Sequence, residues 1–281
     1  MTNILNAIYN IIKDKKHFIG ESISFKNRAN NMGDALEKYM KDAFANTLTV
    51  SDEKERNYTY SQLFSWLGNQ NNPPDFIIKS GDAVEVKKIE SIGSDLALNS
   101  SYPKSQLYAT SPMIASGCRN CEIWDIKDII YAVGYIKSDQ LKSLWMVYGN
   151  IYAAEQDIYE RIKTTISSGI NSIPGVEFSE TKELGRVNRV DPLGITNLRI
   201  RGMWSIQNPR KVFEYIYPKT NEHTFELVCI IPKSKYYSFD TNDIARLESI
   251  KEEGLIITDE NVTDPNNPAR LIEVKLIIYT E

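Results

Sequence analysis

The chain has 281 residues, 42% of them hydrophobic and 25% charged, and a formal net charge of −4. That length and composition support a sizeable core, and the negative balance argues against a protein that coats nucleic acid indiscriminately. No apolar run is long enough to span a bilayer, MTNILNAIYNIIKDKK lacks a signal-peptide cleavage site, and three cysteines make no disulfide framework, so a cytoplasmic protein is expected.

In chain order, MTNILNAIYNIIKDKK reads as an amphipathic helix. In NMGDALEKYMKDAF the residues Met32, Ala35, Leu36, Tyr39, Met40, Ala43 and Phe44 form one apolar stripe, which predicts a helix backed by the core. Polar residues 51–58 read as a surface loop, and YSQLFSWLG as a short helix. Pro73-Pro74 stops it, and two extended runs follow, DFIIK and AVEVKKI, joined at Ser80-Gly81-Asp82 as a hairpin. Residues 90–125 lack a period and read as loop. Strands are expected at 128–136, 143–149, 197–203, 226–232 and 270–279, and helices at 155–168 and 240–252. The class is mixed α/β, with no repeat or low-complexity linker that forces a domain cut.

Side chains alternate across a strand, so Glu85 and Lys87 of AVEVKKI share one face while Val84 and Val86 share the other. Asp75, at the start of the neighbouring hairpin strand, lies beside them. Two carboxylates supply hard oxygen ligands for magnesium, and a nearby lysine can place a nucleophilic water or offset charge growing on a phosphate. Metal-assisted phosphodiester hydrolysis fits all three residues. The bland alternative for a Glu-x-Lys strand is a solvated face with a cross-strand ion pair. The tripeptide recurs as Glu273-Val274-Lys275, but its upstream acid, Asp264, sits in TDPNNPAR, whose prolines and asparagines do not suit an acid leading an apolar strand, so that copy reads as structural.

The first copy, Pro74-Asp75, nine residues, then Glu85-Val86-Lys87, resembles the PD-(D/E)xK nuclease signature. The resemblance implies a central mixed β-sheet flanked by helices, the restriction-endonuclease-like fold. Glu37, on the polar side of the preceding helix, stands where many members of that superfamily offer an additional acid to the metal; Asp34, one turn earlier, competes for that place, and an ion pair with Lys41 is the structural alternative for Glu37.

Longer stretches resemble the NgoPII family of type II restriction endonucleases: NRANNMGDALEKYMKD, FSWLGNQNNPPDFIIKSGDAVEVKKIES, LALNSSYPKSQL, ETKELGRVNRVDPLGITNLRIRGMWSIQNP and PNNPARL. The likeness runs over nearly the whole chain and keeps Asp75, Glu85 and Lys87. It implies a Mg2+-dependent homodimer that cuts double-stranded DNA within GGCC, paired with a protecting methyltransferase. One endonuclease domain over 1–281 is then expected, with a catalytic core at about 28–150 and DNA recognition at about 180–215. The alternatives are a DNA repair or junction-resolving nuclease of the same fold, and a catalytically idle DNA-binding protein.

Between Lys182 and Lys211 there are seven basic residues, Lys182, Arg186, Arg189, Arg199, Arg201, Arg210 and Lys211, against two acids, Glu183 and Asp191, a local net charge of +5. Period two places Arg199 and Arg201 on one strand face, and a guanidinium fork matches the O6 and N7 acceptors of guanine. Arg186 and Arg189, with Asn188 between them, are the other candidates for DNA contact; phosphate contacts or ion pairs with Glu183 and Asp191 are the alternative. In LNSSYPKS, Ser100, Ser101 and Lys104 suit phosphate or groove contacts. Trp204 reads as core or as a stacking group. Cys118-Arg119-Asn120-Cys121 is half a zinc motif without a second half, His17 and His223 lack triad or HNH context, and no phosphate-cradling glycine loop occurs, so no nucleotide cofactor is expected.

Overall fold

Helix α1 (Ile4–Asp14) starts where the Asn3 side chain accepts hydrogen bonds from the amides of Leu5 and Asn6, and stops at Lys15 in the left-handed conformation. Helix α2 (Arg28–Ala45) buries all seven residues of the expected stripe. These helices belong to a computed structural model that describes residues 1–19, 28–69, 72–179, 181, 184–218 and 223–281. Lys182 and Glu183, both counted in the basic segment, lie outside the described residues.

After α2 come α3 (Glu53–Leu63), β1 (Phe64–Trp66), β2 (Phe76–Ile78) and β3 (Ala83–Ile89). Next are β4 (Leu96–Asn99), β5 (Gln106–Tyr108), α4 (Ser116–Arg119), β6 (Ile126–Lys137), β7 (Gln140–Tyr148) and α5 (Gln156–Asn171). A smaller group follows, β8 (Glu177–Phe178), β9 (Gly185–Asn188), β10 (Leu198–Ile200), β11 (Trp204–Ile206) and α6 (Pro209–Val212). The chain closes with β12 (Glu226–Pro232), α7 (Lys233–Tyr236), α8 (Thr241–Glu248), β13 (Ile256–Asp264) and β14 (Asn267–Thr280).

The main sheet runs β1-β2-β3-β6-β7-β12-β14-β13, with β5 paired to β6. It is mixed, because β3/β6 and β7/β12 are parallel while its other pairs are antiparallel. Helices flank this sheet, as the sequence predicts. In the β3/β6 register Val84 faces Ile130, Val86 faces Ala132 and Lys88 faces Gly134. Helix α2 lies on that side: a Cβ on Gly134 would stand 2.6 Å from a methyl group of Leu36, so only glycine admits the helix this close. By alternation, Glu85 and Lys87 are left for the opposite side, next to Tyr131 and Val133.

Three local expectations are corrected. Residues 53–63 form a helix, capped by Asp52 accepting from the Lys54 amide, although only Tyr60 is buried; a helix that is polar all round carries no period. Residues 64–66 of YSQLFSWLG leave the helix to pair with β2. The 90–125 segment holds β4, β5 and α4 between loops. TDPNNPAR turns a hairpin between β13 and β14, with the Asp264 side chain accepting from the Asn266 amide at 2.8 Å. Nearby, Lys275 pairs with Asp259 at 3.0 Å and Glu273 with Lys233 at 3.4 Å, so the second Glu-Val-Lys is occupied by cross-strand and neighbouring ion pairs.

Candidate functional site

The β2/β3 hairpin is antiparallel, with Phe76 opposite Val84 and Ile77 opposite Ala83. One residue earlier, the Asp75 amide donates to the Val84 carbonyl at 3.1 Å, and its carboxylate Oδ2 accepts from the Val86 amide at 2.6 Å. The acid is therefore bound to the backbone between Glu85 and Lys87. A second clamp acts from behind: Trp66 Nε1 donates to the Pro74 carbonyl at 3.0 Å, and Gly68, at φ +87°, comes so close that a Cβ would lie 2.3 Å from the Asp75 carbonyl oxygen.

Lys87 Nζ pairs with Glu85 Oε1 at 2.5 Å. Burial pulls the Lys87 pKa down, but Glu85 and Asp75 outweigh it and leave the ammonium above its usual range. Asp75 moves further. Burial, then repulsion from Glu85, pushes its carboxyl up to about 8, while Lys87 and the Val86 amide act in the opposite sense. A carboxyl held near neutrality beside a second acid exchanges its proton readily for a stronger positive charge.

The other oxygen of Glu85, Oε2, is buried and has no hydrogen-bond partner. A buried carboxylate oxygen left unmatched beside a second acid fits a divalent cation, which prefers hard oxygen ligands. Among the described residues no group of three His, Cys, Asp or Glu side chains is placed to hold a metal. The cleft in front of the pair measures about 180 Å³ and is bordered by Asn69, Asn72, Asn99, Ser100 and Ser101.

Glu37 does not join the pair. Its Oε1 is taken by Lys41 at 2.5 Å, the i+4 alternative foreseen from the helix, and the same ammonium donates to the Leu67 carbonyl at 2.9 Å. Glu37 still acts at a distance, since its charge helps raise both Asp75 and Lys87. Asp34 and Glu37 border a separate cleft on the α3 side.

The Ser100-Ser101 lip reaches the cleft, but Lys104 does not face solvent. It is 6% exposed, and its ammonium donates to Ser101 Oγ and, at 3.3 Å, to the Tyr102 carbonyl. Burial lowers its pKa to about 8. Its own amide donates to the Tyr131 hydroxyl at 2.7 Å, and Tyr131 stands opposite Glu85 in the β3/β6 pairing. Lys104 thus holds the lip from inside. The cleft-lining asparagines and Gly68 carried no sequence signal; only the positive φ of Gly68, invisible before folding, marks its role.

The basic segment divides. Arg186 on β9 stands directly opposite Arg199 on β10, and both are exposed. Strand β10 ends at Ile200, so Arg201 projects from the following loop instead of sharing a strand face with Arg199. Arg189 lies past β9 at φ 51° and pairs with Glu177 at 3.1 Å, and the Asn188 amide donates to Ser179 Oγ. Arg210 is buried against Glu226 at 2.7 Å, and Lys211 pairs with Asp95 at 2.8 Å, so neither adds to an exposed basic face. Trp204 packs on Tyr102 and Tyr159, and its strand pairs with β4, Trp204 opposite Asn99. This pairing ties the arginine-bearing segment to the lip of the cleft.

Cys118 is buried and Cys121 only partly so; burial raises the Cys118 thiol to about 12, which suits packing and not ligation. His17 stacks on Phe225 at 3.7 Å. A cavity of about 500 Å³ lies elsewhere, bordered by Asp82, Lys235 and Asp243, and its charges are matched: Lys235 meets Asp82 at 2.6 Å and Asp128 at 2.8 Å, and Asp243 accepts from Asn3 at 2.6 Å. None of the helices among the described residues is long and apolar enough to cross a membrane.

The model of the NgoPII restriction endonuclease family matches residues 2–263. The type II restriction enzyme NgoPII of Neisseria gonorrhoeae is 48% identical over 278 residues, covering 99% of both chains. No solved structure matches. Near-complete coverage at that identity decides against a repair nuclease and an idle DNA reader: the chain belongs to the NgoPII restriction endonuclease family and is a type II site-specific deoxyribonuclease.

Proposed function

We propose that the chain cleaves double-stranded DNA within GGCC, using Mg2+ held by Asp75 and Glu85, and that two copies act together as a homodimer. The observation that carries the chemistry is the unmatched, buried Glu85 Oε2 beside an Asp75 carboxyl raised to about 8 and an adjacent Lys87 ammonium. When bound, magnesium supplies Lewis-acid polarisation of the scissile phosphate. Lys87 offsets the negative charge that grows on that phosphate, or holds the attacking water by hydrogen bonding. Asp75, fixed by the Val86 amide, keeps the ligand geometry without reorganisation.

GGCC specificity is supported by the long stretches shared with the NgoPII family. Arg186 and Arg199, side by side and exposed, suit guanine O6 and N7; each GGCC half-site offers two guanines. Arg189, Arg201, Asn188, Ser100 and Ser101 supply phosphate and sugar contacts around them. A palindrome favours a two-fold symmetric pair of chains, which presents one cleft to each strand. The full chain then works as one endonuclease domain, its cleft in residues 28–150 and its readers in 180–215.

Digestion of a plasmid of known sequence, with Mg2+ or with EDTA, followed by sequencing of the ends, tests this. Discrete fragments ending within GGCC, only with Mg2+ and absent for Asp75→Ala, are expected. Ends at unrelated sequences would overturn the specificity, and full-speed cutting by Asp75→Ala would overturn the site.

A further inference from the structure

One cation beneath the cleft has no acid for a partner. Lys87 is paired with Glu85 at 2.5 Å, whereas Lys104, buried behind the Ser100-Ser101 lip, forms no ion pair among the described residues. A buried charge without a counter-charge costs stability. Its backbone is fixed all the same. The Lys104 amide donates to the Tyr131 hydroxyl at 2.7 Å, and that hydroxyl donates back to the Lys104 carbonyl at 3.2 Å. Gly149 comes so close that a Cβ there would collide with the carbonyls of Lys104 and Ser105. The lip is held as well: the Ser101 amide donates to the Leu98 carbonyl at 3.1 Å, across a turn in which Asn99 takes φ 52°, and Trp204 stands opposite Asn99 in the β4/β11 pairing.

The hydrogen bond between the two side chains has a direction. With its pKa lowered to about 8 by burial, Lys104 is an ammonium at neutral pH, and an ammonium only donates. Ser101 Oγ therefore accepts from Lys104 Nζ, and the hydroxyl's own hydrogen has no acceptor among the described residues. Ser101 borders the cleft of about 180 Å³ that Asp75, Glu85 and Lys87 also line, so what can accept this hydrogen is an oxygen entering that space. A hydroxyl that accepts from a cation donates more strongly, because the charge polarises its O–H bond. Phosphate has the matching charge: it brings anionic oxygens to a hydroxyl backed by a cation that lacks a counter-ion. We propose that Ser101 donates to a non-bridging oxygen of the scissile phosphate, and that Lys104 is the positioning residue that orients and polarises this donor from beneath. The proposal rests on the cleft being the site of cleavage, and not on the GGCC assignment. Negative charge grows on those oxygens during an in-line displacement, so the contact strengthens toward the transition state and speeds cleavage more than it tightens binding.

The test uses full-length protein and a duplex carrying the mapped cleavage site, with single-turnover cleavage measured in Mg2+ and binding in Ca2+. Ser101→Ala is expected to slow cleavage about a hundredfold while changing the dissociation constant by less than about threefold. Lys104→Met is expected to slow cleavage about tenfold, and the double variant no further than Ser101→Ala alone, because a residue acting through Ser101 then has nothing to act on. Lys104→Gln, neutral but still a donor, repeats the cycle if the Met variant melts below wild type. Full-speed cutting by Ser101→Ala, an equal loss of rate and of binding, or a double variant slowed by the product of the two single losses would overturn the proposal. Asp75→Ala is measured alongside. If it cuts at full speed, the cleft is not the site of cleavage; if it is inactive while Ser101→Ala cuts at full speed, only the role of Ser101 and Lys104 is overturned.

Discussion

The Asp75 carboxylate and the Val86 amide are 2.6 Å apart, and this one hydrogen bond seats the acid between the side chains of Glu85 and Lys87. Its energetic sign is informative. Asp75 has a folded pKa of about 8, above its ordinary value of 3.8, so between those values the folded chain binds more protons than the unfolded one. Stability then falls as pH rises from about 4 toward 8 in the metal-free protein. Urea unfolding in EDTA should show lower stability at pH 8 than at pH 6. Asp75→Asn should flatten that difference and raise metal-free stability at pH 8 while abolishing cleavage. An unchanged pH slope in the variant would mean that Asp75 is not strained by its neighbours.

Gly68 fixes the rear of the site. Ala there meets both a left-handed backbone and the Asp75 carbonyl at 2.3 Å, so Gly68→Ala should cost about 1–3 kcal/mol and lower the cleavage rate more than it lowers DNA affinity. Urea melts and single-turnover cleavage measure the two effects.

Arg210 separates stability from recognition. It lies in the basic segment yet is buried with Glu226, which also accepts from Ser143 and Trp145. Arg210→Ala should destabilise the chain by about 3–5 kcal/mol, because Glu226 is left as a buried charge short of a partner. Among molecules still folded, the salt dependence of DNA binding should be unchanged.

Arg186 and Arg199 should behave otherwise. If either reads guanine, its replacement by Ala costs about 1–3 kcal/mol of binding at one base pair and leaves variant sites nearly unaffected. A phosphate contact would weaken all sequences alike and reduce the salt slope by about one. Binding curves on GGCC and one-base variants at two salt concentrations distinguish these.

Where side-chain period and turn chemistry coincide, the sequence was legible. The stripe of α2 stood out because it buries one face against the core, and the β2/β3 hairpin because two short apolar runs flank the turn at Ser80-Gly81-Asp82. Helix α3 was not legible, since it exposes nearly its whole circumference, and β13 was missed because its edge position leaves it a largely polar pattern. In the site, Asp75, Glu85 and Lys87 could be paired from alternation alone. The inward course of Lys104 could not, because it depends on a contact with Tyr131, distant in sequence, whereas the pairing of Glu37 with Lys41 at i+4 was readable from the helix as one of two alternatives. The count of basic residues likewise could not reveal that Arg210 and Lys211 already have partners.

The most direct measurement is a crystal structure of the protein on its cognate duplex with Ca2+ replacing Mg2+. Anomalous density for a calcium ion bound by Asp75 Oδ and Glu85 Oε2, with a phosphate oxygen and Lys87 Nζ next to it, is the expected result. A cation bound elsewhere, with Asp75 and Glu85 remote from every phosphate of the duplex, would contradict it.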